Sequence, residues 1–183
     1  MLPSQLSVSK VRIYDTLVSC GLVAALGACS PGLNWRDVRP EGTLLVALLP
    51  CKPDQGTRVL PAGDKPLTIS MMGCDAGGAT FTLAHVPVRD AAEAAMVLTQ
   101  WQAATLSTLR GQALSTVPLA LKGSSAEPAG VQIQANGVRP DGKPVSLQAV
   151  WFASAGQVFQ VAMYADRAQP AVAQAYFAGL RLP

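Results

Sequence analysis

The chain has 183 residues, half of them apolar and only 14% charged, with 16 glycines and 14 prolines. That length admits one ordinary domain plus an appendage, and the Gly and Pro content fits strands and turns better than a helical bundle. Fourteen Lys and Arg against eleven Asp and Glu give a formal charge of +3, with both signs dispersed and no basic run, which argues against a nucleic-acid surface.

In chain order, Lys10 and Arg12 precede an uncharged stretch from Thr16 to Ala28, and small residues then lead into Cys29. This is the order of a secretory signal. The stretch holds 13 residues, short of the roughly 20 that cross the hydrocarbon as a helix. Leu26, Gly27, Ala28 and Cys29 resemble the lipobox of bacterial lipoproteins. The resemblance implies a signal over 1–28 and a diacylglyceryl group on the Cys29 thiol. It also implies cleavage before that cysteine and further acylation, for example by palmitate, at the new amino terminus. Small residues suit a narrow peptidase cleft, and the thiolate is the nucleophile that takes the lipid. Two or three acyl chains anchor firmly where one binds marginally. Ser30, in place of an aspartate, implies an outer-membrane address by the sorting rule of enteric bacteria. An ordinary cleaved signal and an uncleaved anchor or structural cysteine are the other readings of the same residues.

Cys20 lies in the signal and Cys29 takes the lipid, which leaves Cys51 and Cys74 as an even pair in an oxidising compartment. A disulfide between them closes a loop of roughly 24 residues, worth about 3 kcal/mol by chain entropy. A redox or metal-binding pair is the rival, but the chain has one histidine and no CxxC.

Residues 29–41 read as a lipidated tether or, from Ser30 on, as a loosely packed arm, with Pro31, Gly32 and Pro40 breaking regular structure. Leu33 and Trp35 either dock on the domain or, in the case of Trp35, sit among lipid headgroups. A single α+β domain is expected over 42–183. TLLVALLP is a continuous apolar run that fits one strand covered on both faces. KPDQG reads as a turn, followed by the strands TRVLP and PLTISMMGC, a DAGG turn and ATFTLAHVPV. In that last strand Phe81, Leu83 and His85 share a face. Asp90 and Glu93 then open the one long helix in a capping-box arrangement. Ala94, Val97, Leu98, Trp101, Ala104, Thr105 and Thr108 form its amphipathic stripe to about Leu109. ALSTVPLALKG reads as a strand in which Pro118 marks an edge or a break. GVQIQANG, PVSLQAVWFA and QVFQVAMYA form an antiparallel meander, turned by Pro-Asp-Gly and by Ala155-Gly156. A short helix from about Ala168 to Ala178 follows, with Pro170 in its first turn and Gly179 at its end.

Leu49, Pro50, Lys52 and Pro53, the meander GQVFQVAMYA, and the terminal Tyr176, Phe177, Leu180 and Leu182 resemble the PsbP-like fold. The nearer comparison is with uncharacterised proteobacterial lipoproteins that carry such a domain, since the cysteine pair is not general to the fold. The resemblance implies an antiparallel sheet of about six to seven strands flanked by one long helix and a short carboxy-terminal helix. It also implies a role in binding and assembly, and it transfers no catalytic residue.

Chemistry-bearing residues are sparse. His85 reads as a satisfied core imidazole, and without it the exported domain holds no Ser-His or Cys-His arrangement. Asp54, Asp64, Asp75 and Asp141 read as turn formers. GSSAEPAG, at 123–130, reads as a surface loop. Trp101 reads as a core anchor on the sheet, with ligand stacking as its rival. The sequence therefore points to a non-enzymatic, lipid-anchored periplasmic protein without cofactor. Its expected partners are the membrane and an envelope protein. One alternative is a small-molecule-binding or chaperone-like domain, which requires an apolar cleft between sheet and helix. The other is an unfamiliar enzyme, which requires His85 in a pocket beside a carboxylate.

Overall fold

The structure, a computed structural model, describes residues 32–60 and 66–183, so the signal segment, Cys29 and Asp64 lie outside the described residues. The elements in order are β1 (Arg36–Val38), β2 (Ala47–Leu49), β3 (Asp54–Leu60), β4 (Leu67–Ala76), β5 (Ala79–Pro87), α1 (Ala91–Thr108), β6 (Gln112–Pro118), β7 (Val131–Val138), β8 (Pro144–Ser154), β9 (Gln157–Ala165) and α2 (Pro170–Ala178). Strands β3 to β9 form one antiparallel sheet in the order β3-β4-β5-β9-β8-β7-β6. With one long helix and a short carboxy-terminal one beside it, this is the α+β class that the periodicities imply.

Strand alternation divides the core into two layers. On one face Phe81 and Leu83 of β5, Phe159 and Val161 of β9, and Phe152 of β8 pack against Leu45, Leu49 and the α2 residue Tyr176. On the other face Val86, Leu147, Ala149, Trp151 and Val158 lie beneath Ala94 and Leu98 of α1. Strand β8 is buried on both sides from Val145 to Ser154, as a central strand must be when helices or arms cover each face. Each fully buried Val, Leu or Phe contributes about 1.5–3 kcal/mol. Trp151 is wholly buried, and its indole N–H has no hydrogen-bond partner among the described residues. The unmade bond costs about 1–3 kcal/mol, which burial of the large ring offsets.

Two expectations need correction, and one open choice is decided. TLLVALLP is not one strand of the main sheet: only Ala47–Leu49 is strand, and it pairs with β1 in a separate two-stranded sheet. Leu45, Ala47 and Leu49 are buried because they lie across the Phe81 face and enter the core, whereas Leu44 is exposed. Apolar content alone does not distinguish a sheet-covering arm from a central strand. The stretch read as a tether supplies β1, and Leu33, Trp35 and Val38 pack on the same core. Trp35 meets Phe81 edge-to-face at 6.1 Å, so docking is the reading that holds for these residues. Finally, KPDQG is not a turn throughout, because Asp54, Gln55 and Gly56 belong to β3 and pair with Gly73, Met72 and Met71.

Other sequence signals correspond directly. The Asp90 side chain accepts the Glu93 N–H at 2.8 Å and caps α1. Glu93 reaches one residue further back than a capping box requires, to Arg89, through its backbone N–H at 2.7 Å and its guanidinium. Pro118 ends β6, which is the sheet's edge strand. Ala155 and Gly156 form the two-residue hairpin between β8 and β9, both at positive φ.

Candidate functional site

The Cys51–Cys74 disulfide is present, with the Cα atoms 6.0 Å apart. Cys51 follows the β2 arm and Cys74 lies in β4 opposite Phe81. The bond therefore staples the covering arm to the main sheet. In the bonded state neither sulfur is a thiolate that could ligate a metal. Among the described residues no group of three or more His, Cys, Asp or Glu could hold a metal ion. None of their helices is long and apolar enough to cross a membrane.

His85 is 7% exposed. Its Nδ1 lies 3.1 Å from Gln157 Oε1, and its ring packs on Phe159 at 5.8 Å. Glu41 lines the same shallow depression, but no ion pair joins it to the imidazole. The carboxylates read as turn formers are spent locally: Asp75, which lies in β4 opposite Thr80 and not in a turn, accepts from Thr80 at 2.6 Å, and Asp141 accepts from the Lys143 backbone N–H at 3.1 Å. That backbone bond holds the Asp141 carboxyl below the usual range. Asp54 lies in β3 and not in a turn. The 123–130 loop is tied to the end of β8, since Ser125 N–H donates to Ala153 O and Ser154 Oγ to Gly123 O.

A larger concavity lies on the α1 face. Helix α1 rests on β8 and β9 and leaves the flank formed by β3 and β4 uncovered. Of its sequence stripe only Ala94 and Leu98 are buried. Val97, Trp101 and Thr105 are half-buried, and Ala104 and Thr108 are exposed. Those last five residues form one wall of a cleft of about 530 Å³, and Leu67, Ile69 and Tyr164 form the other. That volume is within the range of small-ligand pockets, about 300–1,000 Å³. Trp101 is half-buried: it packs against the core under α1, as the anchor reading expects, and it also lines the cleft.

The polar groups of the cleft differ in how far they are committed. Thr105 Oγ1 donates to Trp101 O at 2.8 Å and accepts from Gln160 Nε2 at 2.9 Å, and Thr108 Oγ1 donates to Ala104 O at 2.8 Å. Their hydroxyls are committed to the protein, whereas Gln100, on the same side, is exposed. The Tyr164 hydroxyl and the Arg58 guanidinium make no hydrogen bond or ion pair with other described residues. Burial pushes the Tyr164 phenol above its ordinary value, which keeps it neutral. Arg58 is exposed and, among the described residues, is the one charged residue lining the cleft.

The sequence signals for this site were partial. The over-long α1 stripe was visible, but its separation from the sheet was not, because helical spacing shows which residues share a face and not whether that face is covered. Arg58 had no signal, since a lone arginine in a short strand is ordinary.

No protein-family model matches the chain, and no curated protein matches it. Among solved structures it is similar to the crystal structure of a Pseudomonas aeruginosa protein of unknown function. The identity is 14% and the TM-score 0.37, over 79% of this chain and 89% of that one.

Proposed function

We propose that this is a non-enzymatic binding protein of the bacterial envelope. On this reading it is held to a membrane by lipid on Cys29 and binds an apolar small molecule between α1 and the sheet. The observation that carries the proposal is the cleft of about 530 Å³, walled by Val97, Trp101, Leu67 and Ile69. Closing it would bury more apolar surface, which is normally favourable, so an apolar wall left open in this way favours a ligand over a purely structural role. The disulfide supports an oxidising compartment, and the LGAC sequence supports the tether. Lipid attachment raises the effective concentration of the domain at the membrane face, where apolar ligands partition.

Titration with an environment-sensitive apolar fluorophore tests this reading. The full chain is expected to enhance the emission saturably, and Ala104→Trp, which fills the cleft from an exposed helix position, is expected to abolish the enhancement while leaving the far-ultraviolet dichroism unchanged. Equal enhancement by the variant would contradict the assignment of the cleft.

A further inference from the structure

The shape and charge of the same cleft restrict what it accepts, and this inference rests on the reading of the cleft as a binding site. Arg58 lies opposite Ile69. Strand register puts Ile69 in line with Val86 and Val158, since Ser70 faces His85 and Val86 faces Val158. Tyr164 is six residues further along β9 from Val158, which is about 20 Å at strand rise. On the helix side the wall runs from Val97 to Leu109, about 18 Å at helical rise. The cleft is therefore a slot, with Arg58 at the end nearer the start of α1 and Tyr164 at the other.

A volume of about 530 Å³, within the range of small-ligand pockets, over that length accommodates an extended hydrocarbon chain. The walls are mainly apolar, with Gln100 on the helix side, and the threonine hydroxyls are turned onto the protein. A cation without a counter-ion among the described residues stands at one end. An arginine fork matches a carboxylate in two parallel hydrogen bonds. A bilayer surface, by contrast, is a broad anionic plane that clusters of Lys and Arg recognise, and this slot presents one cation in a concavity.

We infer that the slot between α1 and the sheet holds a free anionic amphiphile of the fatty-acid class, with its chain along Ile69, Val97 and Trp101 and its carboxylate on Arg58. Each methylene added to a bound chain should tighten binding about fourfold until the slot is full. A charge-assisted pair at an exposed arginine should contribute roughly tenfold.

The test is photocrosslinking of the full chain in zwitterionic-lipid vesicles with a diazirine analogue of palmitic acid, adducts being mapped by mass spectrometry. Unlabelled palmitic acid and the matching alcohol serve as competitors. Adducts are expected on α1 and β4 peptides, with the acid competing about tenfold better than the alcohol. Arg58→Gln should remove that difference, Arg58→Lys should restore part of it, and Ala104→Trp should remove the adducts. Adducts for which acid and alcohol compete equally in both wild type and Arg58→Gln would overturn the head-group assignment while leaving an apolar binding cleft. Absence of adducts from the cleft in the wild-type chain, together with no fluorophore binding, would overturn both. Adducts that appear only when anionic lipid is added to the vesicles would show surface binding and overturn the slot.

Discussion

Tyr176 shows how one residue links sequence, core and pH response. It is fully buried on α2, donates to Thr82 O at 2.9 Å, and meets Phe81 edge-to-face at 5.2 Å. Burial raises its phenol above the ordinary value, as it does for Tyr164. A group whose folded pKa is raised contributes stability that is complete below the unfolded value, about 10 for tyrosine, and is lost as pH rises beyond it. The midpoint of thermal unfolding should therefore hold steady up to about pH 10 and fall above it. Tyr176→Phe should lower the neutral-pH stability by about 1 kcal/mol and flatten that alkaline fall, which calorimetry at a series of pH values will read. His85 carries a different lesson. Its alternation with Phe81 and Leu83 placed it correctly on the buried face, whereas its amide partner Gln157 is 72 positions away in sequence and no local pattern announces such a pairing.

At the scale of elements, what was legible followed from periodicity and punctuation. The β7–β8–β9 meander, the Asp90 cap, the Pro118 edge and the α2 start at Pro170 all rest on signals contained within a few residues. What was not legible depended on distant partners. The β1–β2 arm forms because Leu45, Ala47 and Leu49 find the Phe81 face, and α2 is fitted closely to that arm, with Gly179 leaving no room for a side chain beside Leu48. The Cys51–Cys74 bond fastens this arm to β4. Replacing both cysteines by serine should cost about 2–4 kcal/mol, measured by denaturant unfolding. Hydrogen exchange should accelerate first in residues 45–49 and in α2, ahead of β7 and β8, because the staple restrains the arm and not the meander. Equal acceleration throughout the sheet would contradict that division. The cleft has the same origin: the α1 stripe was readable, but the angle that leaves Ala104 and Thr108 uncovered is a property of how the helix meets β8 and β9.

For the whole molecule, the proposal joins an amino-terminal lipid to a domain with an open apolar slot. A Cys29→Ala chain should lose incorporation of labelled palmitate and leave the firmly membrane-bound fraction, since no other proposed attachment supplies two or three acyl chains. Persistent lipid labelling of that variant would contradict the anchor. The cleft is the central claim, because it turns a location into an activity. Native mass spectrometry of the full chain, released gently from the membranes of producing cells, tests it most directly. The account predicts a noncovalent small-molecule adduct on the wild-type chain that dissociates on activation and is missing from Ala104→Trp. A wild-type chain that carries no adduct, or an adduct that Ala104→Trp retains in full, would contradict it.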